Sequence, residues 1–439
     1  MNQLTTFTST PQGAAAYLKT LPAIRERCSR VHDLAKQGKL EYFDYAPDKE
    51  DQVAEFCVNI IKRDFGSNYQ SIPPHGRWRH FDIDKPRIDE LLTNWSDSIS
   101  DLEVCKRLID LFLVSVLLDA GAGSIWSYHE EDGGVYSRSE GLAIASLAMF
   151  KQGIFSSDST QPYKVDAEGL SKLSVERIAA AMQVNESNPM AGIDGRATLI
   201  SNLSKALRTN TTFFGPDGRP GNIIDYLRSQ SLSSEFSELN ARIDVSSLWT
   251  VLIEGLAPIW PQSRVEVGGI SLGDVWLCNA LKNQANLDDD NVTSLVPFHK
   301  LSQWLAYSLI EPLERILHWK IDGLDFLTGL PEYRNGGLLV DFDVLTLRPG
   351  SINISFYPPS SQIPRLSPAH PAIVEWRAMT VIELDRVANL IRKKLNAPDL
   401  SLPQILESAT WKGGREIAKV KRPATGGPPI DIISDGTVF

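Results

Sequence analysis

Residues 323–341 read GLDFLTGLPEYRNGGLLVD and combine acidic side chains, four glycines and apolar anchors within 19 positions. Two of the glycines are adjacent, and glycine lets a backbone turn sharply or approach a ligand closely. The leucines of the segment would root it in a core. We therefore predict a rigid loop that presents Glu332, Tyr333 and Arg334 to a ligand, with the carboxylate of Asp341 at its end. A turn whose charges merely face water is the alternative.

The composition is that of an ordinary globular protein, with 42% hydrophobic and 22% charged residues in a chain of 439. This length allows one large domain or two modest ones. The net charge of −10 argues against binding to nucleic acid backbones or to anionic membranes. A small phosphorylated ligand held by a few local arginines or lysines stays compatible with it. We expect no cofactor, and the oligomeric state is open.

The four cysteines are widely spaced, without a CxxC pair or a Cys/His spacing that suits zinc. This usage predicts reduced, mostly buried thiols in a cytoplasmic protein. The first residues lack the basic and apolar regions of a signal peptide. The longest apolar run, residues 111–118, is too short to cross a bilayer.

Apolar spacing predicts a mainly α fold. Ala54, Val58, Ile61 and Phe65 recur every three or four residues, which is typical of an amphipathic helix. Further helices are predicted at 11–21, 24–37, 104–118, 141–150, 170–182, 195–209, 245–256, 297–318 and 371–395. Residues 338–347 and 352–357 alternate in strand fashion around the turn at 348–351, so a small β-hairpin is predicted there.

Two charged residues at helix ends are candidate ligand contacts. Asp119 ends an apolar helix and precedes small residues and Trp126, which suits a pocket wall. A turn residue without a ligand is the alternative for Asp119. Lys300 lies in the first turn of its helix, where its charge opposes the helix dipole. An anion or a carboxylate beside Lys300 would offset that cost, and a lysine that points to water is the alternative.

Two further segments combine arginine with aromatic residues. Glu375 and Arg377 bracket Trp376 at the start of the last long helix, where a ligand could dock. Residues 73–87 read PPHGRWRHFDIDKPR, and arginines with interleaved aromatics can hold an anion. The alternative for this segment is a surface loop anchored by Trp78.

Five segments carry a resemblance that spans nearly the whole chain: FLVSVLLDAGAGSIW (112–126), YSRSEGLAIASLAMFKQGIF (136–155), FHKLSQWLAYSLIEPLE (298–314), LTGLPEYRNGG (327–337) and VEWRAMTVIELD (374–385). They resemble the fungal and bacterial uracil-catabolism family of the ring-opening uridine route, long catalogued as a domain of unknown function. In that route the resemblance implies a ribosylurea phosphate, formed when the ring of a phosphoribosylated pyrimidine is opened.

A more distant similarity links the same order of segments to the queuosine-salvage nucleotide N-glycosylases, and it implies a compact helical DNA-glycosylase-like domain. The segment 298–303 resembles the Tyr-Lys-Arg-Ala-Gln helix start of that family, so Lys300 falls on its active-site lysine. Glu332 falls on its active-site aspartate, because residues 332–334 resemble its Asp-Tyr-Arg loop. Leu301 replaces an arginine and Asn335-Gly336 replaces Val-Pro, so the base pocket should differ.

These resemblances imply an N-ribosyl hydrolase that cleaves the C–N bond of a ribosylurea phosphate and releases urea. Glu332 would act at the anomeric carbon, and Lys300 would hold Glu332 ionised or assist the leaving nitrogen. Substrate contacts are expected from Asp119, Trp126, His299, Tyr333, Arg334, Asp341, Glu375, Trp376 and Arg377. The expected organisation is an N-terminal helical extension at 1–90, a glycosylase-like domain at 91–397 and a surface tail at 398–439.

Two other classes of function stay open from the sequence. The chain could be a non-catalytic partner that binds an enzyme or an intermediate of uracil catabolism. It could also be a metal-dependent amidohydrolase that acts on the ureido group. The seven histidines include no HxH and no HExxH arrangement, so no metal site is predicted.

Overall fold

Helices make up most of the computed structural model, which describes residues 10–95, 98–119, 121–123, 125–232, 241–261, 263–284 and 291–433. The described chain is mainly helical, which confirms the predicted fold class. Its α-helices are α1 Pro11–Leu18, α2 Leu21–Lys36, α3 Glu50–Phe65, α4 Arg77–Phe81, α5 Arg87–Trp95, α6 Asp101–Leu118, α7 Arg138–Lys151, α8 Ala167–Ser171, α9 Val175–Ala181, α10 Ile193–Thr209, α11 Thr211–Phe214, α12 Ile223–Ser229, α13 Val245–Thr250, α14 Asn279–Lys282, α15 Lys300–Leu317, α16 Tyr333–Asp341, α17 Pro371–Leu395, α18 Leu402–Ile405 and α19 Trp411–Lys421.

The strands are short and pair two by two. They are β1 Phe43–Tyr45, β2 Ser127–His129, β3 Val135–Ser137, β4 Arg242–Asp244, β5 Glu266–Val267, β6 Ile270–Ser271, β7 Val275–Leu277, β8 Leu295–Pro297, β9 Lys320–Asp322, β10 Leu345–Leu347, β11 Arg365–Leu366 and β12 Asp431–Ile432. The pairs β4–β9 and β11–β12 are parallel, and β1–β10, β2–β3, β5–β6 and β7–β8 are antiparallel. Each pair is a separate two-stranded sheet that connects two segments of the chain.

The described chain divides into two units that are each built from separate stretches of sequence. The first unit takes the described residues of Met1–His75, Gln262–Lys300 and Asp325–Ile433, and the second takes those of Gly76–Pro261 and Leu301–Leu324. The three segments predicted at 1–90, 91–397 and 398–439 stay a prediction.

Helix α17 is the central element of the first unit. It is buried along most of its length and packs against α2, α3 and α16. Pro371 in its first turn needs no hydrogen-bond acceptor for a backbone N–H. Its last turn carries Arg392, Lys393 and Lys394, whose positive charges interact favourably with the negative end of the helix dipole. Asn396 then ends the helix in the left-handed conformation, at φ 50°.

Helix α6 has the corresponding place in the second unit. Ser100 caps it through the amide of Glu103, and its side chains are buried almost without interruption from Val104 to Leu118. It packs against α7, α10 and the turn at Pro220–Asn222. Gly221 makes that last contact possible, because a Cβ there would lie 2.6 Å from the carbonyl oxygen of Lys106.

Most long helices predicted from apolar spacing are confirmed, but 170–182 is divided between α8 and α9, and α15 begins at Lys300 because residues 295–297 form β8. The predicted hairpin at 338–357 is wrong. Residues Tyr333–Asp341 form α16, and β10 pairs with β1 near the start of the chain. The glycine pair, taken as a sign of a loop, lies inside this helix. The physical reason is local, because Glu332 supplies a side-chain cap that starts the helix.

Two findings bear on the expectations from composition. All four cysteines, Cys28, Cys57, Cys105 and Cys278, are buried as free thiols, which confirms the prediction of reduced, buried side chains. Within the described ranges, no helix is both long and apolar enough to cross a membrane.

Candidate active site

Glu332 is a buried carboxyl group at the N-terminus of α16, and not part of an exposed loop. Its backbone is extended, at φ −113° and ψ 168°. Its Oε1 accepts a hydrogen bond from the amide of Asn335 at 2.6 Å, and its Oε2 accepts one from the amide of Arg334 at 2.7 Å. Burial raises the pKa of Glu332, while the two amides and the charges of Lys300 and Arg334 act in the opposite direction. The result is a carboxyl group held rigidly in a desolvated place.

Lys300 is the first residue of α15 and belongs to the same unit as Glu332. The positive charge of Lys300 favours the ionised form of Glu332. The two residues stand 32 positions apart in the sequence, yet the fold brings them close enough to interact electrostatically. A direct contact between Lys300 and a carboxylate or an anion stays a prediction.

Asp274 organises the turn before Lys300, and it was not predicted from the sequence. Its Oδ2 accepts the amide of Lys300 at 3.0 Å, and its carbonyl oxygen accepts the amide of Phe298 at 2.9 Å. Arg377 donates to both carboxylate oxygens, at 2.7 and 2.8 Å. These contacts hold the pKa of the fully buried Asp274 below its usual range despite its burial. A lone aspartate in the sequence Gly-Asp-Val-Trp carries no motif that would have revealed this.

His299 and Arg377 support this turn through contacts inside the protein. His299 adopts the left-handed conformation, at φ 46°, and its Nε2 donates to the carbonyl oxygen of Leu18 at 2.9 Å. Burial lowers the pKa of His299. The guanidinium of Arg377 lies 4.1 Å from the ring centroid of Phe298. Both residues thus shape the backbone that presents Lys300.

Tyr333, Arg334 and Asp341 lie on α16. The guanidinium of Arg334 stands 4.9 Å from the ring centroid of Tyr333, and its Nη1 donates to the carbonyl oxygen of Gly426 at 2.8 Å. Asp341 accepts two hydrogen bonds from Arg422, at 2.6 and 2.7 Å. Arg334 and Asp341 therefore connect α16 to residues 398–433, the C-terminal segment.

Glu375 and Trp376 also have partners within the first unit. The carboxyl group of Glu375 accepts the amides of Glu41 and Tyr42 at 2.8 and 2.9 Å, and burial raises its pKa to about 7. The indole Nε1 of Trp376 donates to the carbonyl oxygen of Gly336 at 3.0 Å. Trp376 thereby fixes the middle of α16 behind the turn that holds Glu332.

Asp119 and Trp126 belong to the second unit. Asp119 forms a buried ion pair with Arg77 and accepts the hydroxyl of Ser139 at 3.1 Å. The indole of Trp126 donates to the carbonyl oxygen of Met182 at 2.9 Å. The arginine-rich segment at 73–87 contributes helix α4, in which Arg77 contacts Asp119 and Arg79 pairs with Glu311.

The first unit thus places a buried carboxyl group, a lysine and rigid backbone supports together. A desolvated carboxyl group beside a cation can exchange a proton or stabilise a positive centre. In the described part of the chain, no group of three or more His, Cys, Asp or Glu side chains is arranged to hold a metal ion.

Two curated relatives are similar to the chain over almost its entire length. Uracil catabolism protein 4 of Lachancea kluyveri is 43% identical over 443 aligned residues, covering 98% of this chain and 100% of the relative. Protein urg3 of Schizosaccharomyces pombe is 43% identical over 429, covering 97% of this chain and 98% of the relative. The model of one protein family matches residues 17–439, which include Lys300, Glu332 and Asp274. The chain therefore belongs to this family, DUF1688, which is described as a family of proteins of unknown function.

Proposed function

We propose that this protein is an N-ribosyl hydrolase of uracil catabolism, which cleaves the bond between C1 of ribose 5-phosphate and a ureido nitrogen. The observation that carries the proposal is the buried carboxyl group of Glu332 in the field of Lys300. The name of the relative from Lachancea kluyveri, Uracil catabolism protein 4, supports a role in uracil catabolism. The hydrolytic step itself is our inference from the site and from the resemblance to nucleotide N-glycosylases.

In the proposed reaction the oxygen of a water molecule attacks C1 as the C1–N bond breaks. Glu332, as the ionised carboxylate, faces the positive charge that develops at C1 and takes the proton of the attacking water. The ureido nitrogen leaves with the bonding electrons and gains one proton, delivered from Lys300 or from Glu332. The products are ribose 5-phosphate and urea, and atoms and charge balance without an oxidant or a cofactor.

Lys300 and Asp274 have supporting roles in this proposal. The charge of Lys300 opposes the effect of burial on Glu332 and so keeps the carboxylate available as a base. Asp274 binds the amide of Lys300 and thereby orients the turn. Arg377 is paired with Asp274, whereas the hydrogen bond of Arg334 goes to a neutral carbonyl oxygen. We therefore favour Arg334 over Arg377 as the cation that meets the phosphate.

The test is urea release from synthetic ribosylurea 5-phosphate by the wild type and by Glu332→Gln. We expect a fall in kcat of about 10²- to 10⁴-fold, the usual range for loss of an acid–base group. Asp166→Asn is a matched control, because Asp166 is also a buried carboxylate that caps a helix. Circular dichroism would verify that both variants are folded.

Undiminished turnover in Glu332→Gln would overturn the catalytic role. If the purified wild type released no urea while cells still required the protein for urea production from uracil, a non-catalytic partner would replace the hydrolase.

A further inference from the structure

Asn335 is a buried amide in the same helical turn that holds Glu332. Only 1% of its surface is exposed, and its backbone N–H donates to Oε1 of Glu332 at 2.6 Å. Its side-chain Nδ2 donates to the carbonyl oxygen of Leu330 at 3.0 Å. The remaining polar atom, Oδ1, is buried and has no hydrogen-bond partner among the residues that the structure describes.

The orientation of this amide is determined by Leu330. If the amide were flipped, Oδ1 would face the carbonyl oxygen of Leu330, and two acceptors would oppose each other. The carbonyl of Leu330 is itself held in place, because it also accepts the amide of Glu332 at 2.9 Å. Oδ1 of Asn335 is therefore an acceptor with a set direction.

The turn around Asn335 is too tightly packed to rotate away. A Cβ at Gly336 would lie 2.8 Å from the indole Nε1 of Trp376, and the carbonyl oxygen of Gly336 accepts that indole. A buried acceptor without a donor is destabilising. A rigid turn that retains an unpaired buried acceptor is expected where a bound ligand supplies the missing donor.

We propose that Oδ1 of Asn335 is a specificity determinant that accepts a hydrogen bond from an N–H group of the substrate. This inference rests on the proposed function, in which the ureido nitrogen is bonded to the carbon on which Glu332 acts. The backbone N–H of Asn335 binds the carboxylate of Glu332, so the proposal places the N–H donors of the leaving group on the Asn335 side of that carboxylate. The substrate class is then a ribosyl phosphate whose C1 substituent is a planar donor such as a ureido group.

The chemistry of the site explains why such a contact discriminates. A polar site rejects an analogue without the matching donor more strongly than an apolar pocket rejects an extra methyl group, since the buried polar atom stays unpaired. Asn335 would thus favour a ureido group over a substituent that offers only acceptors.

The experiment is a double-mutant cycle between protein and substrate. Ribosylurea 5-phosphate is compared with one derivative methylated on the internal ureido nitrogen and one dimethylated on the terminal nitrogen. We expect at least one methylation to lower kcat/KM about 10-fold or more in the wild type. The same methylation should have little further effect in Asn335→Leu, which lacks the acceptor. Asn389→Leu, at an exposed asparagine on α17, is the matched control and should behave as the wild type.

A structural role for Asn335 would reduce turnover of all three substrates by the same factor, and equal factors would overturn the proposal. The binding form of the experiment separates this result from the hydrolase proposal. If the wild type releases no urea, the dissociation constants of the three compounds are measured by calorimetry with the same variants. Coupling in those constants supports Asn335 as the acceptor even then, and absence of coupling or of binding overturns it.

Discussion

At the scale of single residues, Glu332 has two duties that favour the same ionisation state. As a helix cap its carboxylate accepts two amides, and as the proposed base it must be unprotonated. Burial opposes both duties by raising its pKa, and the charge of Lys300 reduces that effect. The lysine is therefore part of what keeps the carboxylate functional.

We predict that Lys300→Ala raises the pKa of Glu332 further, because a positive charge that favours the ionised form is lost. The acid limb of the pH profile of kcat/KM should move to higher pH. A ¹³C-carboxyl NMR titration checks the same shift without requiring activity. Lys36→Ala, at an exposed lysine paired with Asp33, is the control. An unmoved titration in Lys300→Ala would show that the two side chains do not interact.

The raised pKa of Glu375 predicts how the stability of the protein changes with pH. Its folded pKa of about 7 lies above the ordinary value of 4.5, so the folded state binds a proton more tightly than the unfolded state. Stability from this group is present below about pH 4.5 and is lost as the pH rises through about 7. The loss is on the order of 3 kcal/mol, at about 1.4 kcal/mol per pKa unit.

We therefore expect the melting temperature of the wild type to fall more between pH 5 and pH 7.5 than that of Glu375→Gln, which cannot titrate. Calorimetry at the two pH values measures the difference. Glu55→Gln, at an exposed carboxylate on α3, should keep the pH dependence of the wild type. Parallel curves for the wild type and Glu375→Gln would contradict the prediction.

At the scale of elements, the contact between α16 and α19 depends on a single glycine. A Cβ at Gly414 would lie 2.1 Å from the carbonyl oxygen of Arg334, which is backbone and cannot move aside. At the adjacent Gly413 a Cβ would lie 3.3 Å from the side chains of Ile60 and Phe56. The two positions share one helix and differ in the space around them.

We predict that Gly414→Ala lowers stability by about 2 kcal/mol or more, because overpacking forces the helices apart. Gly413→Ala should be near neutral, since alanine gains about 1 kcal/mol of helix propensity that offsets a mild contact. Urea denaturation of both variants gives the comparison. Equal effects at the two positions would show that the close approach of α16 and α19 is not what limits residue 414.

Local sequence signals predicted helices better than they predicted the region around Glu332. The amphipathic spacing at 51–65 and the apolar run at 104–118 gave α3 and α6 nearly to their ends. The glycines at 336 and 337 indicated a loop, but both lie inside α16, which the side-chain cap of Glu332 starts. Because glycine has no side chain, Trp376 and Pro429 can pack closely against this helix. Such contacts come from distant parts of the chain, so no local pattern contains them.

At the scale of the whole molecule, the same limit applies to the site. Lys300 and Glu332 could be proposed as site residues from the resemblance. The residues that hold the turn of Lys300 in place could not be predicted in this way. Asp274 and Arg377 form their ion pair across 103 positions of sequence. Neither residue belongs to a motif that identifies the other, because the first unit is assembled from separated stretches. Only the folded chain reveals that Asp274 orients Lys300.

The C-terminal segment is the strongest test of how the first unit is assembled. Within it, Arg422 neutralises the buried Asp341, Gly426 accepts Arg334, and α19 packs against α16. We predict that a chain ended at residue 397 loses the structure of α16, because Asp341 and Arg334 are left without these partners and the apolar side of α16 is uncovered.

Hydrogen exchange of the amides in Tyr333–Asp341 measures this directly, and they should exchange far faster in the shortened chain. Arg422→Ala tests the same contact by a single substitution. It should lower the free energy of unfolding by about 3–5 kcal/mol, the usual cost of removing one partner of a buried ion pair. Arg365→Ala, at an exposed pair with Asp431, should cost less than about 1 kcal/mol. If the shortened chain protected these amides as well as the full chain does, the C-terminal segment would be an appendage, as the tail predicted at 398–439 implies, and the capping turn of Glu332 would be stable without it.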